Sequence, residues 1–145
     1  MIEINNLSNF RLDKKLFTAI AKKVLSGENR GKETLSLAFV SKEEIKKLNK
    51  KFRGKNKPTD VLSFELKEKN NLGEIVICPE VVKPDKSQRH FDGPAIISAK
   101  RNLGGEELAR VFIHGILHLC GYDHEKSKRE AEEMEQKEKF YLDKI

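Results

Sequence analysis

A chain of 145 residues is about the size of one domain, and Leu, Ile, Val and Phe supply 41 of those residues, enough for one packed core. Charged residues make up 36%, and a formal net charge of +6 favours polyanionic partners such as nucleic acid over acidic proteins. Apolar runs of only a few residues exclude a membrane helix, which needs about 20. The opening Met-Ile-Glu-Ile-Asn-Asn has no signal-peptide pattern, and two cysteines are too few for a disulfide framework, so the reduced cytoplasm is the expected compartment.

Ile2 and Ile4 alternate with polar neighbours and predict a short opening strand. Leu12, Leu16, Ile20 and Val24 recur every four residues, which predicts an amphipathic helix over 12–25 that stops near Ser26-Gly27. Leu35, Leu37 and Phe39 alternate in a strand over about 33–40. Ser41 with Glu44 forms a capping box for a helix over about 42–52, with Ile45, Leu48 and Phe52 inward and Gly54 as its stop. Residues 42–57 carry eight basic and two acidic side chains, either a solvated helix face or a phosphate-contacting patch.

Pro58 imposes an extended approach to a strand over Val61–Leu66, and Leu72–Cys78 reads as another. A short helix over 79–84 follows. The pattern then breaks into a long loop from Asp85 to Gly105, with some helix near Ala95–Lys100. Glu106 and Glu107 open a further helix. A last one spans about 127–142, capped by Ser127 with Glu130 and with Ala131, Met134, Tyr141 and Leu142 along one side. Four strands interleaved with about five helices predict a single α/β or α+β domain over 1–145.

Three of the four histidines fall in the run His114-Gly-Ile-Leu-His118-Leu-Cys-Gly121-Tyr-Asp-His124. Histidines at i and i+4 share one face of a helix, so His114 and His118 can reach one cation. Gly121 suits a left-handed residue ending that helix, after which His124 can return as a third ligand. Three imidazoles with an open fourth position describe a catalytic rather than a structural zinc site, and another divalent metal is the variant of the same expectation. The offsets equal those of the metzincin pattern, but Gly115 stands where the proteolytic glutamate would be, so a standard peptidase lacks its base. His90, far from the cluster, reads as an ordinary residue. Cys78 and Cys120 read as core. Asp123 is open to three roles, orienting a histidine, bonding a metal-bound water or capping the turn, and Tyr122 packs beneath the site.

On three stretches the chain resembles the YbeY family of bacterial endoribonucleases and ribosomal RNA maturation factors: Leu48 to Phe64 with its Pro58-Thr59-Asp60-Val61-Leu62-Ser63-Phe64, Leu72 to Cys78, and the histidine run led by Glu107-Leu108-Ala109-Arg110. The resemblance implies one metal ion, usually zinc, on His114, His118 and His124, and a functional arginine at Arg53. It implies an α+β fold, a mixed four-stranded sheet with surrounding helices and a zincin-like metal-site helix. It also implies work on the 3′ end of small-subunit ribosomal RNA and in ribosome quality control. Asn56 replaces an Asp common in the family, and residues 83–105 are longer and more Gly/Pro-interrupted than the family leads one to expect.

Metal-activated water is available near pH 7, Arg53 suits a planar two-donor grip on a phosphodiester, and the nearby lysines suit a flexible RNA backbone. The expected function is therefore a metal-dependent endoribonuclease on single-stranded ribosomal RNA, with the ribosome or a small-subunit ribosomal protein as partner. The competing functions are a non-enzymatic, metal-stabilised assembly factor that binds ribosomal RNA or a ribosomal protein, and another metallohydrolase. Attack by water and attack by the RNA's own 2′-hydroxyl are both open.

Overall fold

The computed structural model describes residues 2–82, 96–97, 105–123 and 125–144. Its centre is a four-stranded mixed sheet in the order β1-β3-β5-β4, built from β1 (Ile2–Asn6), β3 (Thr34–Phe39), β4 (Val61–Glu68) and β5 (Asn71–Ile77). β1, β3 and β5 run parallel, and β4 joins the edge antiparallel to β5. A two-stranded pair, β2 (Arg11–Leu12) with β6 (Ile96–Ile97), lies apart from it. The helices are α1 (Lys14–Gly27), α2 (Lys42–Arg53), α3 (Gly105–Leu119) and α4 (Lys128–Leu142). No described helix is long and apolar enough to cross a membrane.

The alternation in the strands sets the layers. Leu35, Leu37 and Phe39 of β3, with Ile75 and Ile77 of β5, face the main core, which they share with α1, α3 and α4. Val76 and the following Cys78 face the other side, where Ile45 of α2, Val40 and Leu62 complete a smaller core. β5 is thus covered on both faces, which is why its sequence is continuously apolar from Ile75 to Cys78. At the middle of the main core the Phe17 ring meets Phe39 and Phe112 edge to face, with centroids 5.1 Å and 5.7 Å away.

The strands expected at the amino terminus, at 33–40, at 61–66 and at 72–78 are all present, and the predicted caps behave as expected. Ser41 Oγ accepts from the Glu44 amide at 3.2 Å and Ser127 Oγ from the Glu130 amide at 3.1 Å. Gly54 caps α2 in the left-handed region at φ 70°.

Four expectations are corrected. The first helix starts after Leu12, because Asp13 takes the amide protons of Lys15 and Leu16 as its N-cap and leaves Leu12 in β2. Residues 79–82 make a turn rather than a helix, with the Val81 and Val82 amides both on the Cys78 carbonyl at 3.1 and 3.3 Å. Residues 96–97, expected near helix, pair as a strand; most of the remaining 83–105 segment, and His90 with it, lies outside the described residues. Phe52 points outward, 56% exposed, and packs edge to face on Phe64 of β4 instead of entering the core.

Because Phe112 is fully buried against Phe17, Phe112→Ala is expected to lower unfolding free energy by about 3–5 kcal/mol, readable in a urea titration as a lower midpoint with an unchanged slope.

Candidate metal centre and its cleft

Helix α3 carries two faces of opposite character. Leu108, Ala109, Phe112, Ile113, Ile116 and Leu117 are buried in the main core. Arg110, His114 and His118, spaced by four, form a row on the other side and line one cleft of roughly 480 Å³. The two faces can separate so sharply because α3 lies very close to the sheet. A Cβ at Gly115 would come within 3.1–3.3 Å of Ile75 and Ser63, and Ile75 is fully buried. A side chain at 115 would press on the Ile75 and Ser63 side chains, so glycine suits the packing here as well as removing the proteolytic base.

The opposite wall comes from the α2–β4 connection. Arg53 is the last residue of α2, and Gly54 turns the chain immediately after it. Asn49, only 2% exposed, donates from Nδ2 to the Lys57 carbonyl at 2.8 Å and holds the loop back against the helix. Its Oδ1 is buried with no hydrogen-bond partner among the described residues. Arg53, Thr59 and Asp60 line the histidine cleft and also a second concavity of about 570 Å³, whose wall continues through Asn49, Lys55 and Lys57. Arg53 therefore stands at the junction between the two histidines and a basic surface. Lys51 lies 5.3 Å from the centroid of the exposed Phe52 ring on the same helix.

After α3, Gly121 adopts φ 108°, the expected left-handed stop. Asp123 Oδ1 accepts from the Glu125 amide at 2.9 Å, so Asp123 caps the turn, the one of its three expected roles that the described residues show. Tyr122 packs at the edge of the main core and donates its hydroxyl to Glu28 Oε1 at 2.7 Å. Glu28, just past the end of α1, also receives the Tyr141 hydroxyl and lies 3.5 Å from Lys137 Nζ, both on α4. One carboxylate thus ties α1 to the turn before residue 124 and to α4. Burial pushes the Glu28 carboxyl up, but the hydrogen bonds from Tyr141 and Tyr122 and the charge of Lys137 outweigh it and hold the group below its ordinary range. Both cysteines are free. Cys78 is buried, and partial burial raises the Cys120 thiol to about 11, which keeps it a protonated packing group.

The structure thus brings Arg53, His114 and His118 to one cleft; His124 lies outside the described residues, although its neighbour Glu125 lines that cleft. Among the described residues no three His, Cys, Asp or Glu side chains form a group that could hold a metal ion. The donor chemistry of the histidine pair nonetheless fits a nitrogen-loving divalent cation. The Nδ1 of His114 is engaged by Glu138 Oε1 from α4, so a cation on this ring would be held through Nε2. Sequence reasoning passed over Glu138. The available signal was its place between Met134 and Tyr141, at i+4 and i−3, on the buried stripe of α4, where a carboxylate is costly unless it has a partner.

Residues 3–145 match the family profile described as Endoribonuclease YbeY. A Thermotoga maritima relative named Endoribonuclease YbeY is 42% identical over 77% of this chain and 67% of its own length. One of the same name from Persephonella marina is 37% identical over 88% of this chain and 80% of its own. The solution structure of TM1509 from Thermotoga maritima superposes with a TM-score of 0.64 at 37% identity, covering 98% of this chain and 87% of that one.

A carboxylate held below its ordinary value near 4.5 stabilises the fold fully above that value and loses this contribution as pH falls through the lowered native value. Glu28→Gln is therefore expected to lower the melting temperature at pH 7 by several degrees, corresponding to about 1–2 kcal/mol. The difference from the unsubstituted protein should shrink below pH ~4, as followed by circular dichroism melts at stepped pH.

Proposed function

Since the chain belongs to the YbeY family of endoribonucleases, we propose that it cleaves single-stranded RNA in the cleft between α3 and the α2–β4 loop, with ribosomal RNA, in particular the 3′ end of the small-subunit species, as its substrate. The observation that carries this reading is the convergence of Arg53, His114 and His118 on one cleft that opens onto a concavity lined by Lys55 and Lys57. Arg53 and His114 lie 61 positions apart in the sequence and reach this cleft only through the fold.

In this reading His114, His118 and His124 hold one divalent cation, with zinc the expected occupant. Such a cation, when bound, supplies Lewis acidity and hydroxide near neutral pH. The chain's own groups do the rest. The Arg53 guanidinium grips the phosphodiester with two donors and meets the charge that grows on its oxygens in the transition state. Lys55 and Lys57 hold the phosphates that flank the scissile one, and the strand must be single to bend from the concavity into the histidine cleft. Glu107 and Arg110, 3.8 Å apart on α3, lie along the same wall. The work is cytoplasmic, in ribosomal RNA maturation and ribosome quality control, alongside the ribosome or a small-subunit ribosomal protein.

The test is cleavage of an end-labelled single-stranded RNA by purified protein of known metal content. His114→Ala is expected to abolish cleavage, and Arg53→Ala to slow it about 100-fold or more at unchanged fold. Lys55→Ala with Lys57→Ala should weaken RNA binding and flatten its salt dependence by roughly 0.7 per lost phosphate contact. Equal cleavage by all four preparations would reveal a contaminating nuclease and shift the reading to an assembly factor that binds ribosomal RNA without cutting it.

A further inference from the structure

We propose that Glu138 is a positioning residue for His114. It accepts the Nδ1–H of the imidazole, sets the tautomer with the proton on Nδ1, and turns an unprotonated Nε2 toward the cleft. The inference rests on the reading of His114 as a metal ligand, but the tautomer is a property of the protein alone.

Four observations converge on it. Glu138 Oε1 and His114 Nδ1 are in direct hydrogen-bond contact. The side chains are 16% and 33% exposed, so the contact is partly removed from solvent. Glu138 is half-buried beside the apolar stripe of α4, between Met134 and Tyr141, where a carboxylate incurs desolvation that leucine would not. Its position is also fixed from both sides. Met134, one turn earlier, is 1% exposed in the main core, and Lys137 and Tyr141 are both drawn to Glu28. A long acidic side chain on a free helix would wander; here the helix is pinned in rotation and in register, so the carboxylate reaches α3 at one place.

The chemical consequence follows from the two-faced imidazole. A histidine that ligates through one nitrogen must carry its proton on the other. A carboxylate on that second nitrogen fixes the tautomer, stops the ring from rotating and makes the ligating nitrogen more basic, and loss of such a partner typically weakens metal binding about 10–100-fold.

The experiment uses the full chain as unsubstituted protein, Glu138→Gln, Glu138→Ala and His114→Ala. In the metal-free proteins, long-range ¹H–¹⁵N spectra report which nitrogen of His114 carries the proton. Nδ1–H is expected in the unsubstituted protein and in Glu138→Gln, whose amide oxygen can still accept, with a shift toward the other tautomer in Glu138→Ala. Zinc affinity is read by chelator competition, and the ligand field by the visible spectrum of the cobalt(II) form. His114→Ala should lose zinc. Glu138→Ala should bind it about 10–100-fold more weakly, with Glu138→Gln recovering part of the loss and an unchanged four-ligand cobalt spectrum. The Nε2–H tautomer in the unsubstituted protein would overturn the inference, as would zinc affinity in Glu138→Ala equal to that of the unsubstituted chain. A cobalt spectrum showing one ligand fewer in Glu138→Gln would overturn it too, making Glu138 a direct ligand. If zinc binds no more tightly to the unsubstituted chain than to His114→Ala, the metal reading fails while the spectra still decide the tautomer.

Discussion

Everything at this site depends on how closely α3 lies on the sheet. Gly115 lets the helix lie against the Ile75 and Ser63 side chains, which a Cβ at that position would crowd. The apolar half of the helix, from Leu108 to Leu117, is then absorbed into the core with almost no exposed area. That burial is the main source of the helix's stability, since propensity alone holds few helices together. What remains is a narrow strip of Arg110, His114 and His118 that cannot turn away from the cleft. The core fixes the backbone of this strip, and the bond from Glu138 meets the His114 ring. The absence of a glutamate at 115 is part of the same arrangement, because the position that would supply a peptidase with its base here supplies the contact with the sheet.

A second helix completes what the first begins. α4 contributes apolar residues to the core and a carboxylate to the back of His114. Its placement is governed by Glu28, which gathers Tyr122, Tyr141 and Lys137 onto the end of α1. Partial burial and the bond to Glu28 push the Tyr122 hydroxyl up to about 12, and Tyr141 is raised as well, so both remain donors across the physiological range. The arrangement separates two tasks. The Glu28 junction, away from the cleft, ties α4 to the end of α1, and Glu138, on the cleft wall, meets His114 directly.

Much of this was legible in the sequence because it is written in local patterns. Strand alternation, the Ser41 and Ser127 caps, the left-handed Gly54 and Gly121, and the i, i+4 histidines all act over a few residues, and each behaves as its spacing implies. Arg53 was legible only through the family motif around it, since nothing in a terminal helix arginine announces its cleft. The misses have a common physical origin. Phe52 is outward because the edge strand β4 offers Phe64 as a surface partner, and Leu12 is a strand residue because it pairs with β6, 85 positions along the chain. Asn49 and Glu138 lie on buried stripes of their helices, where a polar residue reads as an interruption of the pattern until its partner, in another element, is known.

The long reach of Glu28 has a consequence for the order in which the molecule assembles. Its bonds to Tyr122 and Tyr141 span 94 and 113 positions of the chain, and closing loops of that length carries an entropic cost that must be met before the contact rewards it. The β4–β5 hairpin has far shorter loops to close, as has the first parallel crossover of β1 through α1 to β3, so loop-closure entropy favours their forming before the Glu28 junction closes. Interactions made after the transition state govern the unfolding rate and leave the folding rate almost untouched. The back of the cleft is therefore a latch as much as a scaffold. A junction that closes late acts on how long each molecule keeps α4, and Glu138 with it, against the histidine helix, more than on how fast the fold is reached.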